Sequence, residues 1–277
     1  KVVLEYVDTP GVLVAGYTIT SPYTVAADTT LTSELFEQAA ATTLLSFVTD
    51  DETKKADYGL EDPYANFAIY DGSNNSLTVY LGDRLEDGSY YCQVSGMPGI
   101  YTVSDANLGF LDYSEFALMD KFCTIVDIAS VDQLTLETED HTDVIDVTRT
   151  PELDEDGNEV KDEEGNVTME EHFTLNGKDA HERHTRLFYQ DLISLQVDGE
   201  VNPDKVKDGE PVLKTTFIRN VGEKKIVTEY IPYDADYYAV RQNGETRFYL
   251  LKSRVQKVLD SLDEYRQNYD QPREDDT

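Results

Sequence analysis

The chain has 277 residues, 39% of them hydrophobic and 10% aromatic, enough apolar material to fill a core and to exclude wholesale disorder. Its 56 acidic residues against 23 basic ones give a net charge of -33, which repels nucleic-acid phosphates and anionic headgroups alike. No apolar run is long enough to cross a bilayer, and two cysteines, Cys92 and Cys123, allow at most one disulfide and no CxxC redox or zinc site.

Residues 2–7 and 13–20 are rich in β-branched and aromatic residues and predict strands. The chain opens at Lys1 inside the first of these, so an N-terminal signal or anchor is expected to lie ahead of it. Leu31, Leu35, Ala39, Thr42 and Leu45 make one stripe at helical spacing and predict a helix over 31–47, with Thr30 as its N-cap. Strands follow at 64–70, 76–81, 90–94 and 100–103, separated by Gly, Asn, Asp and Pro turns, and a short helix closes the stretch at 105–116.

The same order is then written again. Strands are predicted at 133–137, 143–149 and 172–175, a helix at 180–196, and strands at 212–219, 225–230, 237–241 and 246–251. A last helix is predicted at 254–265, before a polar tail at 266–277. Asp179 with Glu182, and Ser253 with Gln256, have the spacing of reciprocal N-terminal caps. Ile100-Tyr101 and Leu111-Asp112 stand 148 residues before Phe248-Tyr249 and Leu259-Asp260, and Tyr90-Tyr91 stands 147 before Tyr237-Tyr238. A register kept over several elements is the mark of an internal repeat. The expected fold is therefore α+β, with two tandem pseudo-repeats, each an antiparallel β-meander with one longer and one short helix. Their expected bounds are 1–122, incomplete at its N-terminus, and 123–265, with an acidic hairpin insertion at about 150–170. Strand alternation lets one Tyr of each Tyr-Tyr pair fill the core while the other faces outward. Sheet edges left by two meanders either meet each other or await another chain.

Motifs with chemical promise are sparse. His181 and His184 are three apart at a predicted helix start, a spacing that can grip a metal, but "HERH" is not HExxH and no third ligand stands at a recognisable distance. His141 and His172 are isolated. "DEDGNEVKDEEGNV", from Asp154 to Val167, invites a calcium reading. Counted as an EF-hand loop it puts Glu159 where Gly is required and Gly165 where Glu is required, so two solvated Gly-Asn turns fit better. Carboxylate pairs such as Asp50-Asp51 and Glu61-Asp62 are too common in this composition to mark acid–base chemistry. Cys92 and Cys123 read most simply as small buried residues, and no catalytic, cofactor-binding or metal residue is assigned.

"YGLEDPYANFAIYDG", "LTVYLGD" and "DGSYYCQVSGMPGIYTVS" together resemble the bacterial family called domain of unknown function 4340. Tyr58, Gly59, Leu60 and Pro63 match its opening motif, and Leu81, Gly82 and Asp83 its turn. The second half keeps Pro211 of the opening and has Ile231-Pro232-Tyr233 in place of the turn. The resemblance implies an extracytoplasmic protein anchored to the cell membrane by an N-terminal hydrophobic segment outside this chain, encoded near gliding-type ABC transporters. On that basis the expectation is a non-catalytic accessory or binding module whose partner is an ABC-type permease or another envelope protein. A module that binds envelope glycan or peptide through exposed Tyr rings is one alternative. A hydrolase with an unrecognised carboxylate site is another.

Overall fold

A computed structural model describes residues 1–7, 16–71 and 75–271. Parts of the predicted strand at 13–20, of the turn at 71–75 and of the tail lie outside the described residues. The chain is 25% helix and 42% strand in antiparallel sheets, an α+β fold. One compact unit comprises Lys1–Glu5 and Tyr17–Met119, and a second comprises Asp120 onward and takes in Tyr6, Val7 and Gly16. β1 (Val3–Val7), β2 (Gly16–Ser21) and β3 (Val25–Ala26) form a three-stranded sheet in that order.

In the first unit β3 leads into α1 (Thr29–Ala40), where Asp28 rather than Thr30 is the cap, its carboxylate accepting from Leu31 N at 2.9 Å. The helix ends at Ala40, short of the expected 47. Leu44–Thr49 is a strand, β4, paired with β8 (Ile100–Val103) in an irregular ladder. The stripe reading fails here because "TTLLSFVT" is β-branched and aromatic, and a waiting strand outweighs helical spacing. A 3-10 turn (Glu52–Tyr58) precedes β5 (Ala65–Tyr70), β6 (Ser76–Arg84) and β7 (Tyr90–Val94). The sheet order is β4-β8-β7-β6-β5. Val79, Leu81, Cys92 and Val103 on one face pack with Ala39 of α1 and with Leu108 and Phe110. These last belong to 3-10 turns at Asp105–Asn107 and Gly109–Asp112, and only Glu115–Leu118 (α2) is α-helical where a helix over 105–116 is expected.

The second unit begins with β9 (Val131–Glu137), β10 (Thr142–Pro151), β11 (Met169–Leu175) and β12 (Lys178–Ala180), then α3 (Glu182–Ile193). After β13 (Gly199–Glu200) come β14 (Leu213–Arg219), β15 (Lys225–Pro232), β16 (Tyr237–Gln242) and β17 (Glu245–Leu251). The closing helix is α4 (Lys252–Asn268). All these strands join one sheet, ordered β12-β11-β10-β9-β14-β15-β16-β17-β13. Leu134, Leu136, Phe217 and Leu250 are buried on it, and α3 and α4 are locked by Phe188 stacked on Tyr265 at 5.2 Å and by a 2.9 Å hydrogen bond between the Thr185 and Tyr265 hydroxyls.

Neither reciprocal cap forms. Asp179 is held in β12 opposite Thr174, so His181 becomes the N-cap of α3. α4 starts straight from β17 with Leu251 as its cap residue, whose N–H donates to Asp198 Oδ2 at 2.8 Å. Nor does α4 stop at 265. Arg266 within it pairs with the buried Asp143 of β10 through Nη2 at 2.6 Å and Nε at 2.8 Å.

The two units share a strand order. In each, a four-strand meander (β5 to β8, β14 to β17) is completed beyond its last strand by a strand that follows a twelve-residue helix, β4 after α1 or β13 after α3, although in the second unit the longer helix is the closing α4. They differ at the other end, where β9 pairs with β14 while β5 pairs with β6 alone among the described residues.

Candidate functional site

His181 and His184 stand side by side, ring centroids 5.9 Å apart and inclined 71°, and His181 lines a shallow open depression with Glu182, Arg183, Arg186, Leu187 and Gln190. The neighbouring charges serve the fold. Glu171 of β11 receives Arg186 Nη2 at 2.7 Å and Arg149 Nε at 3.1 Å, tying α3 to β11 and β10, and Arg186 Nε also meets Glu182 at 2.6 Å. His172 shares a hydrogen bond with the Thr150 hydroxyl across the β10–β11 ladder at 2.9 Å, and the His141 carbonyl accepts from Thr138 N in the β9–β10 turn. Among the described residues, no three His, Cys, Asp or Glu side chains converge as metal ligands.

The acidic segment forms two successive turns of one design. Asp154 Oδ1 accepts from the N–H of Asp156 and Asn158 at 3.0 and 2.8 Å, and Asp162 Oδ1 from those of Glu164 and Asn166 at 2.9 and 2.8 Å. Gly157 and Gly165 take positive φ, 82° and 88°, as the turns demand. The backbone N–H of Asn158 and of Asn166 holds each Asp carboxyl below the usual carboxylate range. These carboxylates organise their own loops, an Asx-turn use of Asp.

Of the adjacent carboxylates, Asp51 does similar structural work. Asp51 Oδ1 caps its 3-10 turn by accepting from Thr53 N and Thr53 Oγ1, and those bonds lower its pKa. Cys92 and Cys123 are buried free thiols, and burial pushes Cys92 up to about 11 and Cys123 up to about 12. Several Tyr rings pair with one another: Tyr58 with Tyr91 at 4.7 Å, Tyr64 with Tyr90 at 5.7 Å, Tyr237 with Tyr249 at 4.7 Å. Tyr90 and Tyr91 lie on opposite faces, both half-buried.

The two sequence motifs of the first unit meet in space. A Cβ at Gly82 would lie 2.0 Å from Tyr58 O, and one at Gly59, where φ is 68°, would lie 2.5 Å from Asp83 Oδ1. The Tyr58-Gly59-Leu60 turn thus packs backbone against backbone on Leu81-Gly82-Asp83, with Leu60 and Leu81 buried beside them. These residues set the connection from the 3-10 turn into β5 and the twist at the end of β6.

What this connection leaves open is the rim of the first unit's sheet. β5 reads Ala-Asn-Phe-Ala-Ile-Tyr, without a charge, proline or bulge, and ends on Tyr70, which is 69% exposed. Leu77 and Tyr80 beside it, and Leu45 and Phe47 on β4 at the opposite edge, are also exposed. Exposed apolar groups gathered along uncovered strands mark interaction surfaces. Sequence reading left it undecided whether the edges meet each other or await another chain, and singled out neither edge. The available signal was the absence of any Lys or Arg between Lys55 and Arg84, which leaves the strand without a charged gatekeeper.

Among the described residues, no helix is long and apolar enough to cross a membrane. Neither the curated proteins nor the solved structures contain a significant match to the chain. A family model does match, as one stretch over residues 18–207 that runs from β2 in the first unit past β13 in the second. That span is more than half of the chain, and the chain belongs to the family described as Domain of unknown function (DUF4340).

Proposed function

We propose that the chain is a non-catalytic accessory module that works by binding another protein at the outer face of a bacterial membrane. The single observation that supports this is the rim of the first unit's sheet, two six-residue edge strands bearing exposed Leu45, Phe47 and Tyr70 and unpaired on their outer sides among the described residues. A folded surface leaves such groups in water at a cost in solubility and aggregation resistance, and a partner that covers them removes that cost. The strong negative charge favours a partner with a basic contact surface and speeds its approach.

The residues shared with the DUF4340 family support placing that partner in an ABC-type transport system, with the module tethered through a hydrophobic segment ahead of Lys1. The common strand order of the two units supports reading the chain as two pseudo-repeats of one unit. In this reading the second copy, whose sheet ends on the short strands β12 and β13, is a scaffold, and the first is the contact surface.

Fractionation of the native cells, followed by crosslinking and pull-down of the full-length protein, tests the proposal. Recovery in the membrane fraction with a transporter permease is the expected result. A cytoplasmic protein without a crosslinked partner overturns it.

A further inference from the structure

We infer that β5 is a strand-acceptor edge, and that its occupant is an extended segment of another protein, antiparallel to β5, with alternate apolar residues and basic flanks. This inference deepens the binding reading above and rests on it for its setting.

The direction of the backbone carries the first step. On β6 the N–H of Thr78 donates to Ser95 Oγ and its carbonyl accepts from Ser95 N, both at 2.8 Å, so Thr78 is turned toward β7. Alternation then turns Leu77, Val79 and Leu81 toward β5, where they face Ile69, Phe67 and Ala65 as hydrogen-bonded pairs. The N–H and carbonyl groups of Asn66, Ala68 and Tyr70 consequently point away from β6, along the open edge. Nothing in the described residues pairs with that edge.

The second unit shows what such an edge takes. β14 is the first strand of its meander as β5 is of the first, and its inward residues Leu213, Thr215 and Phe217 occupy the places of Ala65, Phe67 and Ile69. β9 lies on its outer side, antiparallel, with Leu134 opposite Phe217 and Leu136 opposite Thr215, both leucines buried. An occupant of the β5 edge therefore needs apolar side chains at the two positions facing Phe67 and Ile69, and spacing of two residues between them.

Charge selects the rest. β9 carries Glu137, which β14 matches with Lys214 at 2.7 Å, whereas β5 has the neutral Asn66 in that place. The charges nearest β5 in sequence are Glu61 and Asp62 before it and Asp71 after it, with no Lys or Arg from residue 56 to 83. Basic residues at both ends of the occupant complement them. A second copy of β5 would bring the same acidic flanks together, which disfavours self-pairing.

The test uses the full chain and the peptide acetyl-Lys-Lys-Val-Thr-Gln-Leu-Thr-Leu-Thr-Lys-Lys-amide, which carries the β9 pattern without its acids. Saturable binding is expected, with amide shifts centred on Asn66, Ala68 and Tyr70 and an affinity that falls as salt rises. N-methylation of the Gln and of the Thr between the leucines removes donors aimed at β5 and should weaken binding at least tenfold. N-methylation of the two leucines, whose N–H groups face the other way, should leave it within twofold. Ala68→Pro, which removes an outward N–H and no bond to β6, should also weaken binding at least tenfold while the far-UV circular dichroism is unchanged. Equal loss with both methylated peptides, undiminished binding of a Glu-flanked peptide, or shifts elsewhere would overturn the inference. So would a homodimer that Ala68→Pro dissociates, because the occupant would then be a second copy. Peptide binding by a protein that fractionates to the cytoplasm would overturn the membrane setting alone, and membrane recovery without peptide binding would overturn the β5 assignment alone.

Discussion

In the second unit the sheet ends on β12, three residues that run into α3, and on β13, two residues held against β17. In the first it ends on β4 and β5, six residues each, and only β4 is interrupted by shifts of register. The supports differ as well. In the second unit helices and strands are held by charge pairs whose carboxylates are withdrawn from water: Arg266 of α4 on Asp143 of β10, Arg186 of α3 and Arg149 of β10 on Glu171 of β11, and Arg254 of α4 on Asp198 just before β13. The first unit has exposed pairs such as Arg84 with Asp105, each worth little, and relies instead on glycines that let backbones touch. One strand order can thus be finished on short terminal strands or left with a long row of backbone groups available for pairing. The difference comes from β9 and from the lengths of the terminal strands, not from the meander itself.

Variants can break this contrast at its supports. The largest effect is expected from Asp143→Ala, which strands Arg266 and leaves Asn176 without the carboxylate that accepts from its Nδ2 at 3.0 Å. Removing one partner of a buried pair costs about 3–5 kcal/mol, so the urea midpoint should fall and hydrogen-exchange protection should drop first in β10 and α4. Unchanged protection there would mean that apolar packing alone holds the second unit. Gly82→Ala comes next. Its Cβ would sit 2.0 Å from Tyr58 O, and relieving that clash should cost about 3 kcal/mol, read as faster exchange in β5 and β6.

Two smaller effects sharpen the same comparison. Tyr189→Phe removes the donor to the Val126 carbonyl at 2.9 Å and should cost about 1–2 kcal/mol by denaturant unfolding, a loss within the second unit's core. Cys92→Ala tests the first unit's core by pH. Burial raises this thiol to about 11, so below pH 9 it is protonated whether the chain is folded or unfolded, and no stability depends on its titration. Above pH 9 the unfolded chain releases the proton while the folded one keeps it, and stability falls until about pH 11. Between pH 9 and 10 the parent should lose about 1 kcal/mol more than Cys92→Ala. Identical slopes would show that the thiol is not closed off in the folded state.

Much of the fold was legible because alternation and turn residues agree locally. β7 and β8 lie where Tyr-Tyr-Cys-Gln-Val and Ile-Tyr-Thr-Val between glycine turns place them. The two Gly-Asn turns at 154–166 are stabilised by contacts no more than four residues apart, so reading them from sequence needed nothing distant. Legibility ended where a distant strand decided. Leu44–Thr49 continues a helical stripe on paper and becomes β4 because β8 is there to pair with it. Asp179 has the spacing of a cap and is drawn into β12 by β11. The open edge at β5 had only the missing Lys and Arg around it as a signal, since an edge is defined by a neighbour that is missing.

By itself, then, the sequence determined an α+β chain of acidic surface, its meander strands, and the pairing of Gly-rich motifs with turns. Each of these follows from interactions among residues close in the chain, where side-chain alternation, positive φ and charge act without a long loop to close. Tertiary structure alone decided where α1 stops, which aspartates cap and which pair with arginines, and which sheet edge stays free. Those outcomes are competitions between a local preference of a fraction of a kcal/mol per residue and contacts across tens of residues that bury whole side chains, and the contacts prevail.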